Sequence, residues 1–535
     1  MSVYLIRAKD FSSELVFSRW FCVTGTEIEL PKETQLTDLP RRLEVSFDAI
    51  REKWWTLSRQ MVAGHPSSIW SHAAATGTYG SDFGLMLAWA YLCADCAREK
   101  PLTLVVCDDP WLFRHLSSIE GVRSGSKPNL WLFSVLLAAR GISARIYSAV
   151  RAFWTTMYLK RFCRGNDVKQ QHPALVVYGH PTSTAAGYDA YFGDLIQNVP
   201  NLKRYLHTDC KRHDAVKFCR GGGSTSLHTF GNPLFALWFL PLTLWRLPSD
   251  LLDGPDGWLL RRALAKENGG GGPAMTRWQM HCQQNWLKLQ QPRVVAWPWE
   301  NHPWERDFVR SAKRLGIRTI GYQHAVVGRH QFNFSPCSNL DGLDSIPDVI
   351  ACNGPGYRGQ LQQLGIPAKR LIIGGAFRVQ RITDGKVDSM GPHYVALSAI
   401  PGIAQNMMEA IKPLAAKGLR FMVKDHPLYP FKINESANLR RTSKTIPEVT
   451  GIASILYATG TPGLEGLFGG IPTFRLMMDD GIALDIMPPG VSAEATTDED
   501  LLEALQNPNI KSPVAWEEVM APVPFSVWQK LFEAD

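Results

Sequence analysis

Four stretches of this 535-residue chain carry side chains that could do chemistry together. The first is Trp297-Pro298-Trp299-Glu300-Asn301-His302-Pro303-Trp304-Glu305. A carboxylate set among aromatic residues holds its proton more tightly than one in water, so Glu300 is a candidate general base. The alternative is a surface Glu at the start of the next helix. The second stretch, Gly321-Tyr322-Gln323-His324, offers His324 to orient an acceptor or stabilise charge, or else as a satisfied structural histidine. The third is Lys424-Asp425-His426-Pro427. A Lys and a His at a strand end can neutralise and hydrogen-bond a phosphate, and the competing reading is an ordinary turn. Of the five His-Pro pairs in the chain, only His426-Pro427 combines a preceding Lys with a strand of the second half. The fourth stretch, Thr459-Gly460-Thr461-Pro462-Gly463, opens a helix. Its small residues permit close backbone approach, and free N–H groups at a helix start favour an anion. Thr461 is the expected N-cap, with Pro462 at the first helical position. No G-K-[ST] follows, so this is not a Walker A loop.

These stretches take their meaning from the apolar runs before them. In the first half the runs are 102–107 (LTLVVC), 174–178 (ALVVY), 293–297 (RVVAW), 318–322 (RTIGY), 348–352 (DVIAC) and 370–373 (RLII). In the second half they are 394–397 (YVAL), 419–423 (LRFMV), 454–457 (SILY) and 473–476 (TFRL). Short continuous apolar runs separated by helix-length segments predict parallel sheets covered on both faces. Ligands of such sheets bind beyond the carboxyl ends of the strands. That rule also selects Asp108, Asp109, His180, Asn353, Asp425 and Ser398. The first ~100 residues read as helices and loops. The polar segment 377–390 reads as the join between an N-terminal Rossmann-like domain (1–376) and a C-terminal one (377–535).

Composition excludes several classes. Hydrophobic residues are 45% and charged residues 20%, a globular balance. A net charge of +8 is too dilute for a dedicated nucleic-acid binder, though it suits phosphates or an anionic lipid surface. The ten cysteines are scattered, as in a reducing compartment, and the one C-x-x-C pair, Cys93 and Cys96, has no second pair to complete a zinc site. The opening residues carry charges where a secretory signal would be apolar, so the expected location is cytoplasmic. Two inserts break the first half. Residues 130–164 are aromatic and basic. Residues 220–273 hold two glycine clusters around the apolar run 233–247, which is too short for a span and is broken by Pro241. Such inserts fit helices in a membrane interface, or helices packed on the protein itself. The 18 tryptophans fit either an interface or a Trp-rich core.

Tyr188-Asp189-Ala190-Tyr191-Phe192-Gly193, the Trp299–Glu305 and Gly321–His324 stretches, and Gly374-Gly375-Ala376-Phe377-Arg378 together carry a resemblance. With 424–427 and 460–472, they resemble the bacterial surface carbohydrate biosynthesis family of glycosyltransferases. That family is similar to Kdo transferases of capsule and O-antigen assembly. The likeness covers about residues 170–475. It implies a GT-B architecture, two Rossmann-like domains facing across a cleft, with the donor held mainly by the C-terminal domain. It further implies that His426 and Pro427 meet the CMP part of a donor, that Thr459, Thr461 and Gly463 face its phosphate, and that no cofactor or catalytic metal is required. Retaining Kdo transferases place an acidic nucleophile early in the C-terminal domain. Here 394–397 runs into Ser398-Ala399-Ile400-Pro401-Gly402, with no carboxylate.

The resulting expectation is a metal-independent glycosyltransferase. It would move a CMP-linked ulosonic acid onto a glycan or lipid-linked acceptor, with Glu300 and His324 catalytic and Lys424, His426, Ser398 and Thr459–Gly463 on the donor. The partners expected are the nucleotide-sugar donor, the acceptor and an anionic membrane touched peripherally on its cytoplasmic face, with no nucleic acid. The alternatives are a CDP-polyol phosphotransferase and a non-catalytic scaffold of polysaccharide assembly.

Overall fold

A computed structural model of the chain describes every residue except 1, 24, 27, 77–79, 163–170, 222, 380, 382–386, 427–429, 510–511 and 534–535. Three sheets organise it, and every strand pair is parallel. The first contains β1 (Val3–Ile6), β2 (Arg19–Cys22), β3 (Thr103–Val106) and β4 (Val122–Ser124), in the order β2-β3-β1-β4. The second contains β5 (Ala174–Val177), β6 (Lys203–Leu206), β7 (Ser224–Ser226), β8 (Val294–Pro298), β9 (Arg318–Gln323), β10 (Val349–Cys352) and β11 (Leu371–Ile373). Its order is β7-β6-β5-β8-β9-β10-β11. The third contains β12 (His393–Ala396), β13 (Phe421–Lys424), β14 (Leu439–Arg441), β15 (Ser454–Tyr457), β16 (Thr473–Leu476) and β17 (Glu494–Thr496), ordered β14-β13-β12-β15-β16-β17. Both large sheets therefore grow outward one way from their first strand and then reverse, which is the Rossmann order. The expected α/β class with two Rossmann-like sheets is present. Its central strands are buried on both faces, as the unbroken apolar runs require.

The run 102–107 is a strand, but it pairs with β1 and β2 in the small sheet instead of joining the large one. The first hundred residues are thus not helical throughout. Strands of four residues such as VYLI and RWFC are too short to show a period that separates them from a helical turn. The helices Leu39–Ala49, Arg51–Ala63 and Phe83–Arg98 do form there. Cys93 and Cys96 lie buried and unbridged in the last of these, and burial raises both thiols, so the pair is core. The other strands missing from the sequence pattern are polar: VRS, STS, LRR and EAT at sheet edges, and KRYL inside the second sheet, whose buried Arg204 donates to the Thr184 and Tyr188 carbonyls. Edge strands need only one apolar face.

The sheets are tied together by an ion network with a buried Glu44–Arg475 pair at its centre. Glu44, on the helix Leu39–Ala49, receives both terminal nitrogens of Arg475 from β16, each at 2.9 Å. Arg329, from the loop after β9, joins Glu44, Asp48 and Asp485. At the other end of the chain, the helix Phe525–Glu533 returns to the second sheet. There Trp528 packs against Tyr322 and Phe192, and its indole N–H donates to the Gly374 carbonyl at 2.8 Å.

The first insert forms one helix, Leu130–Phe162, with the short helix Pro233–Phe239 of the second insert alongside. Pro233 starts the short helix at its first position, and Pro241 follows its end. Among the described residues, Leu130–Phe162 is the helix long and apolar enough to cross a membrane. Residues 233–247 are not; the isolated arginines of the longer stretch break its apolar runs without making the stretch polar as a whole. Arg164 lies outside the described residues.

Removing Glu44 strands a buried guanidinium. Glu44→Ala is expected to cost about 3–5 kcal/mol, read as a lowered unfolding midpoint. An unchanged midpoint would mean that Arg475 finds water or another anion.

Candidate active site

Strand order reverses between β5 and β8 in the second sheet and between β12 and β15 in the third, and the chemistry identified above lies at these places or one strand beyond them. In the second sheet, Pro298 of β8 pairs with Tyr322 of β9. Two residues further along each chain stand Glu300 and His324, so the register brings them side by side. In the third sheet, Ala396 of β12 pairs with Lys424 of β13 on one side and Tyr457 of β15 on the other. Two residues beyond that row are Ser398, His426 and Thr459. The hydroxyls of Ser398 and Thr459 meet at 2.9 Å, directly at the reversal.

The turn that carries Glu300 is held from several directions. Glu305, fully buried in the first turn of the helix Pro303–Arg314, accepts the backbone N–H of Glu300 at 3.1 Å and of His302 at 2.7 Å. Asn301 between them is left-handed, with φ of +58°, a conformation costly to a side chain unless its surroundings enforce it. They do: its amide donates to the Asn333 carbonyl at 2.6 Å, and Arg306 donates to the Asn301 carbonyl at 3.1 Å. Asn333 in turn donates to the Glu300 carbonyl at 2.8 Å. Burial, and then the Glu300 charge, lift the Glu305 carboxyl well above the usual range, while the backbone donors oppose that shift.

Trp297 and Trp299 do not surround the Glu300 carboxylate as the sequence suggested. They pack into the core against Phe308 and Phe334. The carboxylate instead lies 3.1 Å from Nε2 of His302 and 3.3 Å from Nε2 of His324. Burial holds both imidazoles down at about 4, in the His324 case against the pull of Glu300. Each is neutral at neutral pH, and a neutral imidazole facing a carboxylate keeps its proton on the near nitrogen. That leaves Nδ1 of His324 with a lone pair, buried and without a hydrogen-bond partner among the described residues. Tyr191 stands edge-on to His324 with ring centroids 5.0 Å apart, and Tyr178 and His207 continue the aromatic wall.

A guanidinium and two imidazoles converge beside this wall from the two large sheets. Arg378, exposed in the loop after β11, lies over the Tyr191 ring at 5.2 Å. Burial first, and then Arg378, lower the His180 imidazole beyond β5 and the His426 imidazole beyond β13. His426 also lowers His180, so the ends of β5 and β13 are near enough to interact electrostatically. Such a group fits an anion. Although Glu300 meets two imidazoles, the described residues include no group of three or more His, Cys, Asp or Glu placed to hold a metal ion.

The remaining predicted donor residues behave differently. Lys424 donates to the Ser443 carbonyl at 3.2 Å. Thr461 occupies the N-cap of the helix Pro462–Phe468 with Pro462 first, as expected, but its own backbone is helical and its hydroxyl makes no cap bond. Gly463 has a packing reason: a Cβ there would stand 2.2 Å from the Tyr457 ring. Pro427 lies outside the described residues. Sequence reasoning missed His302 and Arg378 as site residues, although both sit inside the motifs it quoted; the available signal was their place just beyond β8 and β11.

No protein-family model matches the chain, and no curated protein matches it in sequence. Among solved structures the chain is similar to the UDP-GlcNAc 2-epimerase of Methanocaldococcus jannaschii, at 10% identity over 67% of this chain and 99% of that one, TM-score 0.36. It is similar to the lipopolysaccharide outer core galactosyltransferase WaaB, at 12% identity over 67% and 98%, TM-score 0.34. It is also similar to MurG of Acinetobacter baumannii, at 10% identity over 68% and 100%, TM-score 0.37. Identities of this size do not carry an activity from one protein to another.

Histidines set the pH response of the site. His302 and His324 fall from 6.5 to about 4 on folding, so the unfolded chain binds protons that the native state refuses. Their contribution is intact above pH 6.5 and is lost as pH falls toward 4, by up to about 1.4 kcal/mol per pH unit for each ring. The unfolding midpoint should drop across that window. His324→Gln should flatten the drop; an equal slope in the variant would refute the assignment.

Proposed function

We propose that the protein is a glycosyltransferase that takes a nucleotide-sugar donor between its two large sheets. One observation carries this reading: both strand-order reversals end in chemistry. One holds a positioned carboxylate, the other a hydroxyl pair, and the Arg378 guanidinium and the His180 and His426 imidazoles lie between them. The donor phosphate sits among those three side chains, the guanidinium supplying charge and the neutral imidazoles N–H donors, and the nucleotide reaches Ser398, Thr459 and the Lys424–His426 stretch, with Thr461 and Gly463 at the next helix start. An acceptor hydroxyl lies against Glu300, which His302 and His324 orient. The hydroxyl gives its proton to Glu300 as its oxygen bonds to the anomeric carbon. The bond from that carbon to phosphate breaks, and its electron pair leaves with the nucleotide, whose growing charge Arg378 and the imidazole N–H donors stabilise. No carboxylate follows β12 up to Gly402, which supports direct attack by the acceptor over a covalent sugar on that sheet. The donor we favour is a CMP-linked ulosonic acid of a bacterial surface glycan, used without a metal.

A thermal-shift series with CMP, CDP, UDP and GDP tests the donor. CMP should stabilise most; preference for CDP moves the reading to a polyol phosphotransferase, and no shift with any of them to a non-catalytic scaffold. Arg378→Ala and His426→Ala should each weaken nucleotide binding about tenfold, the scale of one charged hydrogen bond. Glu300→Gln should lower kcat at least ~100-fold with donor affinity nearly unchanged. Retained turnover would remove Glu300 as the base.

A further inference from the structure

The helix Leu130–Phe162 is built inside out. The face it packs against the protein carries Gly141, Arg145, Ser148, Ala152, Thr155 and Thr156. Arg145 is buried and donates to the Pro241 and Asn268 carbonyls at 3.2 and 2.8 Å. Gly141 is pressed so close that a Cβ would stand 1.9 Å from the Asn268 oxygen. The opposite face presents Trp131, Leu136, Ile142, Tyr147, Trp154 and Met157 to the outside, with Trp131 72% and Trp154 60% exposed. Beside it the second insert adds Leu234, Trp238, Phe239 and Leu242, with Trp238 70% and Leu242 75% exposed. A helix in water buries its large apolar side chains and exposes its small and polar ones. Here the arrangement is reversed from Gly141 to Thr156, and two neighbouring segments of the chain supply one apolar layer.

We propose that this layer is seated in the surface of a bilayer with anionic headgroups, the helix lying along the interface and not crossing it. Charge selects the occupant. Apart from the buried Arg145, Leu130–Phe162 contains Arg140, Arg151, Lys160 and Arg161 and no Asp or Glu, and 233–247 adds Arg246, again with no acid. A second copy of the chain would bring the same cations against these, whereas anionic lipid complements them. Packing selects the orientation. From Gly141 to Leu159 one face of the helix is taken up by protein, including the charged helix Arg212–Arg220, whose Arg212 and Arg220 lie over the Tyr158 and Phe162 rings. A span would draw those charges into hydrocarbon. The first eleven residues, Leu130–Arg140, have no buried side chain, so this end enters the layer most deeply.

The test is flotation of the full chain with vesicles of phosphatidylcholine alone and of phosphatidylcholine mixed with phosphatidylglycerol. Binding should be at least tenfold stronger to the anionic vesicles and fall as salt rises. Trp131→Glu/Leu136→Glu and Trp154→Glu/Trp238→Glu should each reduce it at least tenfold; these side chains are exposed, so the unfolding midpoint should hold. Because other tryptophans are buried, quenching of wild-type fluorescence by bromine-labelled acyl chains gives a second reading that needs no variant. Absence of both flotation and quenching overturns the proposal. So does a lipid-free dimer that the same substitutions dissolve, or resistance to alkaline carbonate extraction, which would mean a span. None of these readouts depends on which nucleotide, if any, the cleft binds.

Discussion

Glu305 accepts backbone hydrogen bonds from Glu300 and His302 while buried under the helix it begins. A carboxyl taken out of water is costly unless the structure supplies donors, and here the donors are the backbone of the one turn that must keep its shape. Asn301 stays left-handed because Asn333, Asn339 and Arg306 satisfy its polar atoms. Loosening this knot would let the turn relax to an ordinary helix start, and the Glu300 carboxylate would swing away from His302 and His324. The candidate site is therefore a consequence of backbone satisfaction more than of side-chain packing.

The same economy appears in the third sheet. Parallel strands put all their exits on one edge, and strand order reverses once, between β12 and β15. Helices leave on opposite faces there, which opens a crevice without removing any side chain from the core. Ser398 and Thr459 fill its floor with hydroxyls bonded to each other. The two crevices share one electrostatic field, because His180 from one sheet and His426 from the other each sense Arg378. The ion network of Glu44, Arg329 and Arg475 ties the sheets together at another place.

Tryptophan serves two opposite purposes in this chain. Trp54, Trp89, Trp278, Trp286, Trp297 and Trp528 are among its largest fully buried side chains and belong to the core. Trp131, Trp154 and Trp238 stand outside on the two inserts. Which indoles are covered and which are exposed is thus decided residue by residue by the neighbours the fold supplies.

Local sequence determined the strands whose two faces are both buried, because only unbroken apolar runs such as VVAWP and SILY suit that place. It also determined that Glu300, His324, Ser398, His426 and Thr459 leave the carboxyl ends of such strands. The polar edge strands, and β1, β2 and β4 around the legible β3 of the small sheet, were not legible, since short runs among polar residues show no period and an edge needs no second apolar face. Register was decided only by the tertiary structure: pairing Pro298 with Tyr322 sets Glu300 against His324, and a slip of one residue would turn them apart. Tertiary packing alone also set the neighbours of Glu300, which are imidazoles and not indoles, and the outward face of Leu130–Phe162. A helix's composition states how apolar it is, but only the surface it packs on decides which of its sides is left facing out.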